Sequence, residues 1–250
     1  MKPQVLLVTL FVTLALPAYG QTLTFSSPQT QTTLIELFTS EGCSSCPPAD
    51  RWMSELKNDT RLWKEFIPLT FHVDYWNYLG WPDPFSEPAH SHRQREYARH
   101  GYARSVYTPG FFINGREWSA WFRKPVLSKP SAQNTGMLSV NIDQQALTAN
   151  YQARDFPVEP LQLHVAVLGF DIHTNVTKGE NRGKILSHDF VVLAWHSLAD
   201  QNADRQWQMD RKTLDLSRTH ARAIAVWVTV AKDPTPLQAT GGWIDSISQY

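Results

Sequence analysis

The 250-residue chain holds only two cysteines, and they stand three apart, as Cys43-Ser44-Ser45-Cys46. Two thiols so spaced can close on one another, and the pair is too small to hold a four-cysteine zinc site. A bridge across so few residues removes little chain entropy from the unfolded state, so stapling the fold is a weak reason for it. The spacing points instead to a dithiol that opens and closes, and the surrounding pattern has to bring both sulfurs to one place.

That pattern begins with a leader. Lys2 precedes the apolar run from Val5 to Leu16, and Pro17-Ala18-Tyr19-Gly20 offers the small residues a signal peptidase reads. The run is shorter than the roughly 20 residues a bilayer span needs. The reading is a cleaved signal peptide over 1–20 and an exported chain, periplasmic or secreted from a bacterium, with no membrane span in the mature chain. Export makes a disulfide permissible. Lys and Arg number 23 and Asp and Glu 23, and no basic run occurs, which argues against a nucleic-acid partner.

After a polar lead-in from Gln21 to Thr33, Thr33-Leu-Ile-Glu-Leu-Phe38 reads as a buried strand, and Ala49 to Leu56 has helical spacing. Pro47 and Pro48 place the helix start at Pro47 and leave Cys46 at the cap. Phe66 to Val73 is a second strand candidate. Asp74 to His92 is crowded with aromatics and prolines and reads as an ordered insertion, followed by a helix from a Ser86 cap to about His100 and a glycine stop at Gly101. Asn114-Gly115 between apolar-bearing runs is a hairpin signal. Residues 124–136, rich in Pro, Ser, Asn and Thr, read as a linker. Beyond it the runs at 138–142, 161–168, 190–195 and 223–230 alternate or are β-branched, which predicts a small antiparallel, sandwich-like β-domain over 137–250.

Strand, Cys-x-x-Cys, helix, strand, helix, Thr108-Pro109, strand, Asn-Gly and strand follow one another over Leu34 to Trp121. That order resembles the thioredoxin fold. It implies an α/β thioredoxin-like domain over 21–123 with an insertion at 74–92, and a cis Pro109 facing the dithiol. More narrowly, Glu36-Leu-Phe-Thr-Ser-Glu-Gly-Cys-Ser-Ser-Cys-Pro-Pro-Ala-Asp50, with Gly179-Glu-Asn-Arg-Gly183 and His188, resembles a domain-of-unknown-function family of secreted bacterial proteins, family 1223, in the thioredoxin-like clan. That likeness implies a fold without a reaction.

The residues themselves suggest the chemistry. A cysteine between a strand end and a helix start lies near unpaired N–H groups that favour the thiolate, so Cys43 is the candidate nucleophile and Cys46 the resolving thiol. The prolines and Glu41 weaken that effect. Glu36, on a buried strand, is a candidate proton shuttle for Cys46, with an edge-exposed position as the alternative. The Thr108 backbone would pair with an extended substrate segment. Tyr75, Trp76 and Trp81 would line a peptide groove or else cover the sheet. His90, His92 and His100 read as solvated helix residues, and Gly179 to Gly183 as a turn. The leading expectation is an exported thiol–disulfide oxidoreductase acting on protein or peptide thiols without a cofactor or bound metal. The alternatives are a secreted binding or scaffold module with a structural disulfide and, third, a Cu(I) protein using Cys43, Cys46 and His72 or His92.

Overall fold

A computed structural model describes residues 22–123, 127, 131–153, 159–200 and 204–244. The proposed leader, and most of 124–130 in the proposed linker, lie outside them. Fourteen strands and two α-helices run through the described residues. In chain order they are β1 (Leu23–Ser26), β2 (Thr33–Thr39), α1 (Pro47–Glu55), β3 (Phe66–His72), α2 (Pro88–Arg99), β4 (Gly110–Ile113) and β5 (Arg116–Glu117). The second half contributes β6 (Met137–Ile142), β7 (Ala146–Gln152), β8 (Leu161–Gly169), β9 (Ile172–Asn175), β10 (Ile185–His188), β11 (Val191–Ala199), β12 (Gln206–Asp210), β13 (Ala221–Val230) and β14 (Pro236–Trp243).

The expected fold class, a thioredoxin-like α/β domain followed by a small separate sandwich, does not hold. One eight-stranded sheet runs β14-β13-β8-β11-β3-β2-β4-β5, so strands of both halves lie side by side. The seam is a parallel pairing of β11 with β3 at Val191 and Thr70, reinforced where Thr70 N donates to Phe190 O at 2.8 Å. A core common to both halves follows, in which Leu34, Phe38 and Phe71 share a cluster with Leu168, Val192 and Trp227. Hydrophobic periodicity reports which face of a strand is buried but not which strand lies beside it. Two half-sheets that each need a neighbour are more stable merged than apart.

The second layer is a four-stranded antiparallel sheet, β1-β6-β7-β12. The lead-in therefore contains a strand: Leu23–Ser26 pairs with β6, and Phe25 packs so close to β14 that a Cβ at Gly242 would strike its ring. β8 is buried on both faces, which is why Leu161 to Gly169 is nearly continuous in apolar residues. Leu161, Leu163, Val165 and Val167 meet the second sheet, while Ala166 and Leu168 join the core shared with the first half.

Strand alternation sorts β2 in the same way. Leu37 and its partner Phe111 face α1, where Trp52 stacks edge-on against Phe111, while Glu36 and Phe38 face α2. α1 starts at Pro47 with Cys46 as its N-cap. α2 starts after Glu87, and Ser86 instead bonds Asn77 and Asp83. Asn114 and Gly115 take φ of 47° and 78°, as the hairpin between β4 and β5 requires.

Candidate functional site

β2 ends at Thr39, and a turn carries the chain to Cys43. Gly42 lies so close to Trp76 that an added Cβ would stand 3.1 Å from the Trp76 Cβ. Cys43 and Cys46 form a disulfide with Cα atoms 5.5 Å apart, at the junction of strand and helix. Cys46 O accepts from Ala49 N and Asp50 N, so Cys46 is already in helical register with α1. Asp50, four residues on, therefore shares its face of the helix, and helical side chains lean toward the N-terminus, here toward Cys46.

Neither sulfur residue is open to solvent: Cys43 is 1% and Cys46 0% exposed, although Ser44 and Ser45 between them are exposed. Part of the cover comes from the loop between β9 and β10. Glu180 Oε2 accepts from Ser44 N at 3.0 Å, and the Ser44 hydroxyl and backbone together hold the Glu180 carboxyl below its usual range. The buried Asn181 amide donates to Glu41 O at 2.8 Å and Cys43 O at 2.9 Å. The sequence suggested only a turn at 179–183. Its loop residues fasten the second half of the chain over the cysteines.

Beneath the disulfide lies a buried polar cluster. Glu41 is fully buried, with Oε1 3.2 Å from His188 Nε2 and Oε2 accepting from Trp81 Nε1 at 2.8 Å. His72 Nδ1 meets Asp83 Oδ2 at 2.7 Å, and the His72 and His188 rings stand 4.9 Å apart, edge to face. Burial opposes the His72 charge, but Asp83, with Asp50 and Glu41 nearby, raises its pKa. Burial likewise pushes the Asp83 carboxyl up, and the His72 pairing with backbone donors outweighs it and holds it low. Asp50 goes the other way: burial raises its pKa against the pull of His188, His72 and Thr39.

The expected shuttle, Glu36, lies on the other face of the sheet. Arg93 Nε donates to Glu36 Oε1 at 2.6 Å, and the Tyr97 hydroxyl donates to Oε2. It is buried rather than edge-exposed, and it is already committed to a guanidinium. The residue with the features sought in Glu36 is Asp50, whose signal in the sequence is its i+4 spacing from Cys46.

Thr108 and Pro109 follow from the register. Phe38 pairs with Gly110, so the residues before Gly110 lie beside the end of β2 where the cysteine turn begins, and the Thr108–Pro109 bond is cis. Trp76 Nε1 donates to Thr108 Oγ1 at 2.7 Å, and Tyr75 donates to Gln94 Oε1 at 3.0 Å. Trp76 thus bridges the cysteine turn and the Thr108 loop. Trp81 closes the far side against Gly179. All three rings are half-buried, and Tyr78 is 80% exposed.

His92 on α2 and His100 just past its end are exposed, but His90 is 2% exposed, and burial depresses its pKa to about 4. Among the described residues no group of three His, Cys, Asp or Glu is disposed to hold a metal ion, and the copper alternative finds no ligand set there. No helix of the described residues is long and apolar enough to cross a membrane.

Fold and site together define a mostly-β protein with two packed sheets, a two-stranded β9–β10 ribbon and a Cys-Ser-Ser-Cys disulfide at a strand–helix junction. The chain belongs to the family described as protein of unknown function, DUF1223, whose model matches residues 34–229. Among solved structures it is similar to a crystal structure of a protein from Agrobacterium tumefaciens, at 21% identity and a TM-score of 0.57, covering 87% of this chain and 96% of the other. It is also similar to HBP35 of Porphyromonas gingivalis, at 13% identity and a TM-score of 0.55, covering 88% and 77%. These likenesses speak for the fold alone. A search of curated proteins found no match.

Proposed function

We propose that this protein is a thiol–disulfide oxidoreductase acting on protein or peptide thiols in an oxidising compartment outside the cytoplasm. The observation that carries the reading is Asp50. A carboxyl 4% exposed, one helical turn from Cys46, that burial biases toward its protonated form stands where an acid serving that sulfur would stand. A protonated acid there can supply the hydrogen that the Cys46 sulfur needs when the bridge opens. The bridge closes only a four-residue turn and adds little to stability by chain entropy, which also favours a chemical role. Exchange requires the 179–183 loop to lift, because its side chains hold the cysteine turn closed. The half-buried rings of Trp76 and Trp81 and the Thr108 backbone then border the surface that a partner segment would meet.

A second reading, a binding or scaffold module with a permanent disulfide, is favoured by the burial of both sulfurs. The reduction potential and the pH dependence of Cys43 alkylation separate the two. A potential above about −300 mV with a reactive thiolate near neutral pH supports exchange, and a lower potential with an inert thiol supports the scaffold. A Cys46→Ser variant is expected to accumulate mixed disulfides with partners through Cys43.

A further inference from the structure

Thr39, Asp50, His72 and His188 gather in one buried cluster, with Thr39 beside the Asp50 carboxyl and with His72 Nε2 and His188 Nδ1 lacking a hydrogen-bond partner among the described protein atoms. They come from β2, α1, β3 and β10, and are 0%, 4%, 0% and 1% exposed. Buried polar atoms are rarely left so, and a catalytic role is one reason for it. His188 is the residue among them that links two carboxylates. Its Nδ1 is 4.0 Å from Asp50 Oδ2, and its Nε2 is 3.2 Å from Glu41 Oε1. Closing the first gap by about 1 Å makes a hydrogen bond.

We propose that His188 is a proton relay for the dithiol, passing a proton between Glu41 and Asp50, so that the second half of the chain completes the chemistry begun at Cys43 and Cys46. The inference rests on the exchange reading and adds a residue that the cysteine motif does not contain. When a substrate thiolate attacks Cys43 Sγ, a new S–S bond forms, the Cys43–Cys46 bond breaks, and its electron pair goes to Cys46 Sγ. Asp50 gives that sulfur its proton. In the same step a proton enters the His188 ring at Nε2 from Glu41 and another leaves at Nδ1 for the Asp50 carboxyl, so that the rate of bridge opening depends on His188. The negative charge is thereby moved from beneath the sulfurs to Glu41, where the Trp81 N–H already binds Oε2. The second thiol of the substrate then displaces Cys43, which takes up a proton. The substrate leaves as a disulfide, two electrons poorer: the proton of its second thiol goes to Cys43, the proton its first thiol released before the attack returns to Glu41 and resets the relay, and the protein holds two thiols.

The other groups facing the relay are His72 and Asp83. They hold each other at 2.7 Å, and neither lies on the path. His90 of α2 stands behind them, with Nδ1 on His72 O and a pKa depressed to about 4, so it stays neutral near pH 7.

The test is the rate at which dithiothreitol reduces the folded protein, measured per thiolate across pH for the wild type, Asp50→Asn, His188→Gln and the double variant. General acids contribute roughly 100-fold or more to such steps. The expected result is that His188→Gln slows reduction at least about tenfold and removes the decline in rate at high pH, while slowing the Asp50→Asn protein no further. Equal slowing in both backgrounds, or an unchanged pH profile, overturns the relay. Glu41→Gln gives the same reading if His188→Gln does not fold. If wild-type protein is reduced only once unfolded, the exchange reading itself fails; if it is reduced readily and the variants match it, only the relay does.

Discussion

Replacing Glu36 with Gln separates a structural carboxylate from a chemical one. Glu36 is fully buried and shares its two oxygens between Arg93, itself 4% exposed, and Tyr97. The guanidinium also lies over the rings of Phe71, Tyr97, Trp195 and Trp227 at 5.2–5.8 Å, so it is pinned and cannot turn to solvent. Removing one partner of a buried ion pair costs about 3–5 kcal/mol, because the other charge stays buried. Glutamine keeps one acceptor oxygen, which brings the expected loss to about 2–3 kcal/mol, a charged hydrogen bond being worth roughly 1.5–3. For a chain of this size that lowers the melting temperature by about 4–12 °C. The assay is urea and thermal unfolding of Glu36→Gln beside Arg93→Met and the double variant, which should recover part of the loss by leaving no charge unpaired. Disulfide exchange in the folded variant should stay within about twofold of wild type, far below the 100-fold scale of a lost general acid. An unchanged melting temperature with exchange slowed tenfold would refute the assignment and return Glu36 to the cysteines.

Asn181→Ala removes two amide donations, to Glu41 O and Cys43 O, worth about 1 kcal/mol each, and should speed reduction of the disulfide by dithiothreitol roughly tenfold or more if the loop must lift first. An unchanged rate would mean the thiol enters by another path. His90 has a folded pKa of about 4 against 6.5 free, so its neutral form stabilises the fold fully above pH 6.5. That contribution, about 3 kcal/mol at about 1.4 kcal/mol per pH unit, should be lost as pH falls through 4, and stability measured in His90→Asn should lack that fall.

Local signals made the cysteine segment readable. The proline pair after Cys46 places the helix start at Pro47, Asn114-Gly115 makes the hairpin, and Leu34 to Phe38 is a buried strand, each decided within a few residues. The cover and the cluster were not readable in that way. Asn181 and His188 reach Cys43 and Glu41 across more than a hundred residues, and no periodicity carries that information. Asp50 was within reach of a helical count from Cys46. The strand pattern at Glu36 reports burial but not the Arg93 guanidinium that takes up its carboxylate.

The sequence by itself determined that two thiols meet in a short turn before a helix, and which residues of each strand face a core. Only the tertiary structure decided that the strands of both halves form one sheet, that β1 belongs to the second layer, and that a loop from the second half shuts over the sulfurs. The reason is physical. Turns, caps and a disulfide across three residues are settled by neighbours along the chain, whereas sheet order and the partner of a buried charge are settled by which distant surfaces bury the most area and leave the fewest polar groups unpaired.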